Sequence, residues 1–209
     1  MTDIIFTGAK SAPLTVVLAH GAGAPMDSPF MDAFAEGLSA RGLGCARFEF
    51  PYMAERRVDG KKRPPNPARI LLETWREVID EIGRDKLVIG GKSMGGRMAS
   101  MVAGELETEK TPVRGVVCLG YPFHPPGKPE KLRTEHLETL KTKTLICQGS
   151  RDPFGTRDEV PGYSLSKKIK LHWLEDGDHG FKPRKASGLT EQENWDSALD
   201  AIQALCAKL

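Results

Sequence analysis

Six short runs of the chain are almost continuously apolar. They are "LTVVLAH" (14–20), "CARFEF" (45–50), "KLVIGG" (86–91), "VRGVVCLG" (113–120), "KTLICQG" (143–149) and "IKLHWLE" (169–175). Unbroken Val, Ile and Leu, without polar alternation, predicts strands buried on both faces, as in a parallel sheet. Between them the apolar positions change to helical spacing. "SPFMDAFAEGLSARG" (28–42) offers Ser28 as N-cap, Pro29 at the first helical position and Gly42 as terminator. "NPARILLETWREVIDEIG" (66–83) repeats that design from Asn66 and Pro67, with Ile70, Leu71, Trp75, Val78, Ile79 and Ile82 on one stripe and Gly83 at its end. "MGGRMASMVAGEL" (94–106) and "TEQENWDSALDAIQALCAKL" (190–209) complete the set, the last with Thr190 and Glu193 spaced as a capping box. Strands alternating with helices predict an α/β fold, with a mostly parallel central sheet and helices on both faces.

Two stretches fit neither period. "PYMAERRVDGKKRPP" (51–65) is basic and rich in proline, and "YPFHPPGKPEKLR" (121–133) carries Tyr121, Phe123 and His124 among four prolines. Each follows the carboxyl end of a predicted strand, the edge at which open α/β sheets bind ligands. The second is read as shaping a site. The first is balanced between an ordinary solvated loop and a contact with substrate.

Length and charge narrow the class. The 209 residues suit one domain, 1–209, and the 39% hydrophobic and 28% charged composition is that of a soluble globular chain. Thirty basic against 28 acidic residues leave a net charge of +2, which does not suggest nucleic-acid binding. No apolar run approaches the ~20 residues that span a bilayer. "MTDIIFTGAK" at the start has no secretory pattern, so a cytoplasmic location is expected. Cys45, Cys118, Cys147 and Cys206 form no CxxC pair, and buried reduced thiols are expected rather than disulfides or metal ligands.

The chemistry centres on Gly91-Lys92-Ser93-Met94-Gly95, which fits G-x-S-x-G. Alone the pattern is weak. Here it sits between a predicted strand and a predicted helix, where a sharp turn projects a serine hydroxyl and small neighbours let strand and helix approach. A serine hydroxyl needs a base, and the base needs an orienting acid. "SRDPFG" follows one later strand and supplies Asp152, and "DGDHGF" follows the next and supplies His179. Asp158, in an expected helix, and Asp176 and Asp178, beside His179, are alternatives to Asp152. Of the other histidines, His172 reads as structural and His136 as lying in an exposed helix. An oxyanion hole needs two backbone N–H groups. Met94, after the nucleophile, supplies one. The loop "HGAGAPMDS" (20–28) supplies the other, from Ala22 first or Gly23 second, with His20 bracing the loop. Gly23, Tyr52, Arg56 and His124 are candidate substrate contacts. Arg56, Arg57, Lys61, Lys62 and Arg63 point by charge alone to an anionic substrate, such as an acyl thioester of a phosphorylated carrier.

"LAHGAGAPMDSPFM", "GGKSMGGRMAS", "LGYPFHPPGKPEKLR", "QGSRDPFG" and "DGDHGF" together resemble the small serine hydrolases of the α/β-hydrolase superfamily, nearest to dienelactone-hydrolase-like bacterial proteins. The same core is similar to a testis-expressed animal protein and to a subunit of a histone-acetyltransferase complex. The resemblance runs from about residue 14 to the end. It implies a minimal, capless α/β-hydrolase with an open, shallow site, and no metal or organic cofactor. One departure matters. Dienelactone hydrolases proper use a cysteine nucleophile, and Ser93 here favours ordinary ester chemistry. A serine also argues against the dehalogenase and epoxide hydrolase branches, which use aspartate at this turn. The expected activity is hydrolysis of short-chain acyl esters or thioesters. A hydrolase-shaped binding or complex-subunit module with little turnover is the alternative.

Overall fold

Among the described residues, 2–9 and 11–209, the computed structural model forms one seven-stranded sheet. The elements follow in the order β1 (Ile4–Thr7), β2 (Thr15–Ala19), α1 (Pro29–Ala40), β3 (Gly44–Phe48), α2 (Pro51–Asp59), α3 (Ala68–Ile82), β4 (Leu87–Lys92), α4 (Met94–Thr108), β5 (Gly115–Leu119), β6 (Thr144–Gly149), β7 (Ile169–Leu174) and α5 (Glu191–Cys206). The strand order is β1-β3-β2-β4-β5-β6-β7. All pairings are parallel except β1 with β3. The six apolar runs are β2 to β7.

Alternate residues of the inner strands feed two cores, one per sheet face. Val17, Ile89, Val116 and Ile146 point to the face covered by α3 and α4, where Trp75, Val78, Ile79, Met98 and Val102 pack on them. Val16, Leu18, Val88, Val117 and Leu145 point to the face covered by α1 and α5, against Phe34, Leu38, Leu199 and Ile202. Burial on both faces is why these strands lack polar alternation. The four cysteines are free and buried.

Four sequence expectations are corrected. β1 is an additional strand. It is antiparallel, lies on the sheet edge and leaves Phe6 52% exposed, so it lacks the continuous burial that marks β2 to β6. The stretch 51–65 is not wholly irregular, because Pro51 opens α2 at its first helical position and Gly60 closes it with φ 71°. Asn66 does not cap α3. Its Oδ1 accepts a hydrogen bond from the Tyr52 backbone N–H (2.9 Å), and Pro67 holds the N-cap position. Asp158 lies in a turn rather than a helix. At α5 the capping box is complete, with Thr190 and Glu193 each bonding the other's backbone.

Candidate active site

Gly90, Gly91, Gly95 and Gly96 make the turn between β4 and α4 possible. A Cβ on Gly91 or Gly95 would run into the Ala19 carbonyl of β2, and one on Gly96 into the Gly91 carbonyl. Ser93 sits at the apex with φ 51° and ψ −113°, a strained conformation for a residue with a side chain. Such strain persists only when the packing around it fixes the turn. Gly95→Ala is therefore expected to destabilise the protein by at least about 2 kcal/mol, since the Ala19 and His20 carbonyls belong to a packed strand end and cannot yield. A urea midpoint equal to that of the parent would contradict this.

Three side chains meet above that turn. Ser93 Oγ lies 2.9 Å from His179 Nε2, and His179 Nδ1 lies 2.7 Å from Asp152 Oδ2. The arrangement suits the tautomer with the proton on Nδ1, which leaves Nε2 free to accept from the serine hydroxyl. Asp152 is fully buried at the end of β6. Its carboxylate also accepts from the Phe154 backbone N–H (2.9 Å) and from Gln148 Nε2 (3.0 Å). Gln148, itself buried, binds both the N–H and the carbonyl of Tyr121, tying the acid to the loop after β5.

The loop carrying His179 is held from several directions. Asp178 Oδ1 accepts from the Gly180 and Lys182 N–H groups, and the Phe154 ring lies 4.4 Å from the imidazole. Asp176 and Phe181 both adopt positive φ, so the backbone bends sharply on each side of the histidine. Lys92 Nζ, from the residue before Ser93, donates to the His179 carbonyl (2.5 Å) and lies near the faces of Phe30 and Phe181.

Burial pushes the Lys92 amine down to about 8, while Asp152 and Asp178 pull it upward. In the unfolded chain it titrates near the ordinary lysine value of about 10.4. Between those values the native state binds fewer protons than the unfolded state, so stability rises with pH across that window. The stability difference between the parent and Lys92→Met, from urea titrations, is expected to grow between about pH 8 and about 10.4. A flat difference would mean that the amine titrates normally.

A cavity of about 360 Å³ opens beside Ser93, with Ala22, Met94, Met98, Leu71, Pro122 and Phe154 among its walls. Met94 stands at the first position of α4, where a backbone N–H has no intrahelical acceptor. Among the described residues, neither its N–H nor that of Ala22 is engaged elsewhere. The loop around Ala22 is fixed from beneath. His20 Nδ1 hydrogen-bonds the Gly21 carbonyl (2.7 Å), and its Nε2 accepts from the Phe50 N–H (3.1 Å). Burial holds its pKa below the usual histidine value.

The candidate substrate contacts are placed differently. Tyr52 is 2% exposed, and its hydroxyl donates to the Ala22 carbonyl (3.0 Å), so it supports the loop from behind instead of facing the cavity. His124 is also 2% exposed and turns inward, with Nδ1 2.9 Å from the Pro125 carbonyl. Arg56 reaches the Gly23 carbonyl at 3.4 Å, and neither residue lines the cavity. Two of the five cations of the basic stretch are neutralised. Arg57 binds Glu49 and Asp27, and Arg63 binds Asp59 and Glu55. His136 is half-buried rather than exposed, 2.8 Å from Ser100 Oγ, with its pKa lowered to about 4 by burial. His172 bonds Ser197 Oγ at 2.9 Å.

Sequence reasoning missed the parts played by Gln148 and Lys92. The available signal was a polar side chain at the end of each of two apolar strands. Among the described residues, no group of three or more His, Cys, Asp and Glu side chains is arranged to hold a metal ion. No helix there is long and apolar enough to cross a membrane. A larger groove, about 830 Å³, lies at the far sheet edge between β7 and α5, remote from Ser93 and lined by lysines such as Lys143 and Lys170.

A parallel sheet with an antiparallel edge, and a strained serine between a central strand and the helix that follows it, define the hydrolase class of α/β proteins. The sequence matches the alpha/beta hydrolase domain family over residues 12–207, and the chain belongs to that family. Its fold is similar to that of the monoacylglycerol lipase of Paleococcus ferrophilus, at 15% identity and TM-score 0.71, over 98% of this chain and 99% of that one. It is also similar to Est1E from Butyrivibrio proteoclasticus, at 12% identity and TM-score 0.70, over 99% and 95%. Dienelactone hydrolase from Anabaena variabilis is similar at 21% identity and TM-score 0.67, over 99% and 89%.

Proposed function

We propose that this chain is a serine hydrolase that cleaves short-chain acyl esters or thioesters through an acyl-enzyme. The observation that carries the reading is the hydrogen-bonded series from Ser93 through His179 to buried Asp152, hung on a serine with φ 51°. Ser93 Oγ attacks the carbonyl carbon while His179 Nε2 takes its proton. The carbonyl oxygen becomes an oxyanion facing the Met94 and Ala22 N–H groups. As the tetrahedral intermediate collapses, the bond to the leaving oxygen or sulfur breaks, and His179 returns the proton to that atom. Water then attacks the acyl-enzyme with His179 again as base, releasing the acid and restoring Ser93. Asp152 holds the imidazole in its tautomer and stabilises the imidazolium. A cavity of about 360 Å³ beside Ser93 has room for a short acyl group.

A fluorophosphonate probe tests the chemistry. It should label the native protein and fail to label Ser93→Ala, and p-nitrophenyl esters of rising chain length should then show a maximum at short acyl groups. Absence of labelling on folded protein would sink the reading. It would favour instead the hydrolase-shaped subunit suggested by the resemblance to complex components.

A further inference from the structure

Two arginines face the Ser93 cavity, Arg97 and Arg133. Arg97 stands one turn along α4, its N–H bonded to the Ser93 carbonyl at 3.0 Å, so its side chain rises from the helix that Ser93 begins. Arg133 comes from the loop after β5, where its carbonyl accepts from the buried Tyr121 hydroxyl (2.8 Å) and its N–H bonds the Phe123 carbonyl (2.8 Å). Two distant segments therefore converge on one cavity wall with the same charge.

Neither guanidinium has a partner among the described residues. Arg57, Arg63, Arg76 and Arg184 each pair with carboxylates, but no carboxylate lies within ion-pair distance of Arg97 or Arg133. The Arg97 Nε is sealed from solvent with no hydrogen-bond acceptor. Burial first, and then the neighbouring Arg97 charge, hold the Arg133 pKa below its ordinary value. His136, close enough to feel Arg97, is kept from protonating by burial and by that charge, so it adds no third cation.

Two like charges sharing a half-dry wall, with a buried donor left open, are unfavourable until an anion sits between them. Guanidinium forks suit a planar carboxylate, which they can bind in pairs of parallel hydrogen bonds. The position selects the part of the substrate involved. The acyl group is the portion that stays bonded to Ser93, and the cavity lies over the helix that starts there. The leaving group takes its proton from His179, which is not among the residues lining that cavity.

We propose that Arg97 and Arg133 form an acyl-side anion subsite, and that the substrates are esters or thioesters whose short acyl chain ends in a carboxylate, the half-esters of dicarboxylic acids. This rests on the serine-hydrolase reading above. It moves charge selection from the basic stretch 56–63, which does not line the cavity, to Arg97 and Arg133 beside Ser93.

The test compares p-nitrophenyl hemiglutarate with p-nitrophenyl valerate, which match in chain length and differ in the terminal charge. The parent enzyme is expected to prefer the hemiester in kcat/KM by at least about tenfold, the range of a hydrogen bond to a charged group. Arg97→Met and Arg133→Met should each reduce that preference at least about fivefold, with valerate as the internal reference for effects common to both esters. Should Arg97→Met fail to fold, Arg133→Met carries the same test. No preference in the parent, or a preference that survives in the folded double variant, overturns the subsite. Calorimetric titration of Ser93→Ala with glutarate separates the two readings. If no ester is turned over, the hydrolase reading fails. Glutarate binding that weakens when the arginines are removed then retains the anion site, and no binding discards it.

Discussion

Replacing Ser93 by alanine is expected to lower kcat for a short p-nitrophenyl ester by at least about 10⁴-fold while leaving the fold and its urea midpoint unchanged. The size follows from the proposed mechanism. Without Oγ no acyl-enzyme forms, and the His179 base has only water to activate. The remaining acceleration comes from substrate binding and from the N–H groups of Met94 and Ala22. The stability expectation is equally definite. The Ser93 side chain provides no hydrogen bond to the helix it begins, and α4 is held by its packing on β4 and β5. Steady-state kinetics with the purified variant decide the matter, and a residual rate within tenfold of the parent would remove Ser93 from the chemistry.

Asp152→Asn is expected to cost about 10⁴-fold in kcat with little effect on KM. Asparagine fills the same space in a fully buried site and still accepts from the Phe154 N–H. Its amide, however, can present a donor to His179 Nδ1, which favours the tautomer with the proton on Nε2. That nitrogen then cannot accept the serine proton. The double variant Ser93→Ala/Asp152→Asn should be no slower than Ser93→Ala alone, because the groups act as a unit. A loss below tenfold would mean that another carboxylate orients the base. The neighbouring acids are poorly placed for that. Asp178 holds the Gly180 and Lys182 N–H groups, and Asp176 is committed to Arg184 and Arg151, with its pKa lowered to about 2 by Arg184.

The parts of this fold that read clearly from sequence are those whose environment is uniform. β2 through β6 are mostly buried on both faces, and that produces near-continuous apolar runs, whereas β7 lies on the sheet edge and fully buries only Leu174, so the expectation of two-sided burial does not hold for it. β1 is short, edge-bound and half exposed, so "IIFT" carries no comparable signal. α2 buries only Tyr52 and Met53 and otherwise presents charge, which hides its helical period. The convergence of Ser93, Asp152 and His179 is legible because a parallel sheet delivers successive strand ends to one edge, whatever lies between them. Tyr52 and His124 were misread for the opposite reason. Position near a strand end does not say whether an aromatic ring turns toward the cavity or toward the core. Gln148, Arg97 and Arg133 take their meaning from neighbours far away in sequence.

The Lys92 bridge has a mechanical consequence. Lys92 directly precedes Ser93, and its amine grips the His179 peptide. A displacement of the β4 end is therefore transmitted to the His179 loop, and the spacing between Oγ and Nε2 is insulated from breathing of the sheet edge. Heating should then extinguish turnover and native structure in a single transition, with no inactive but folded stage before it.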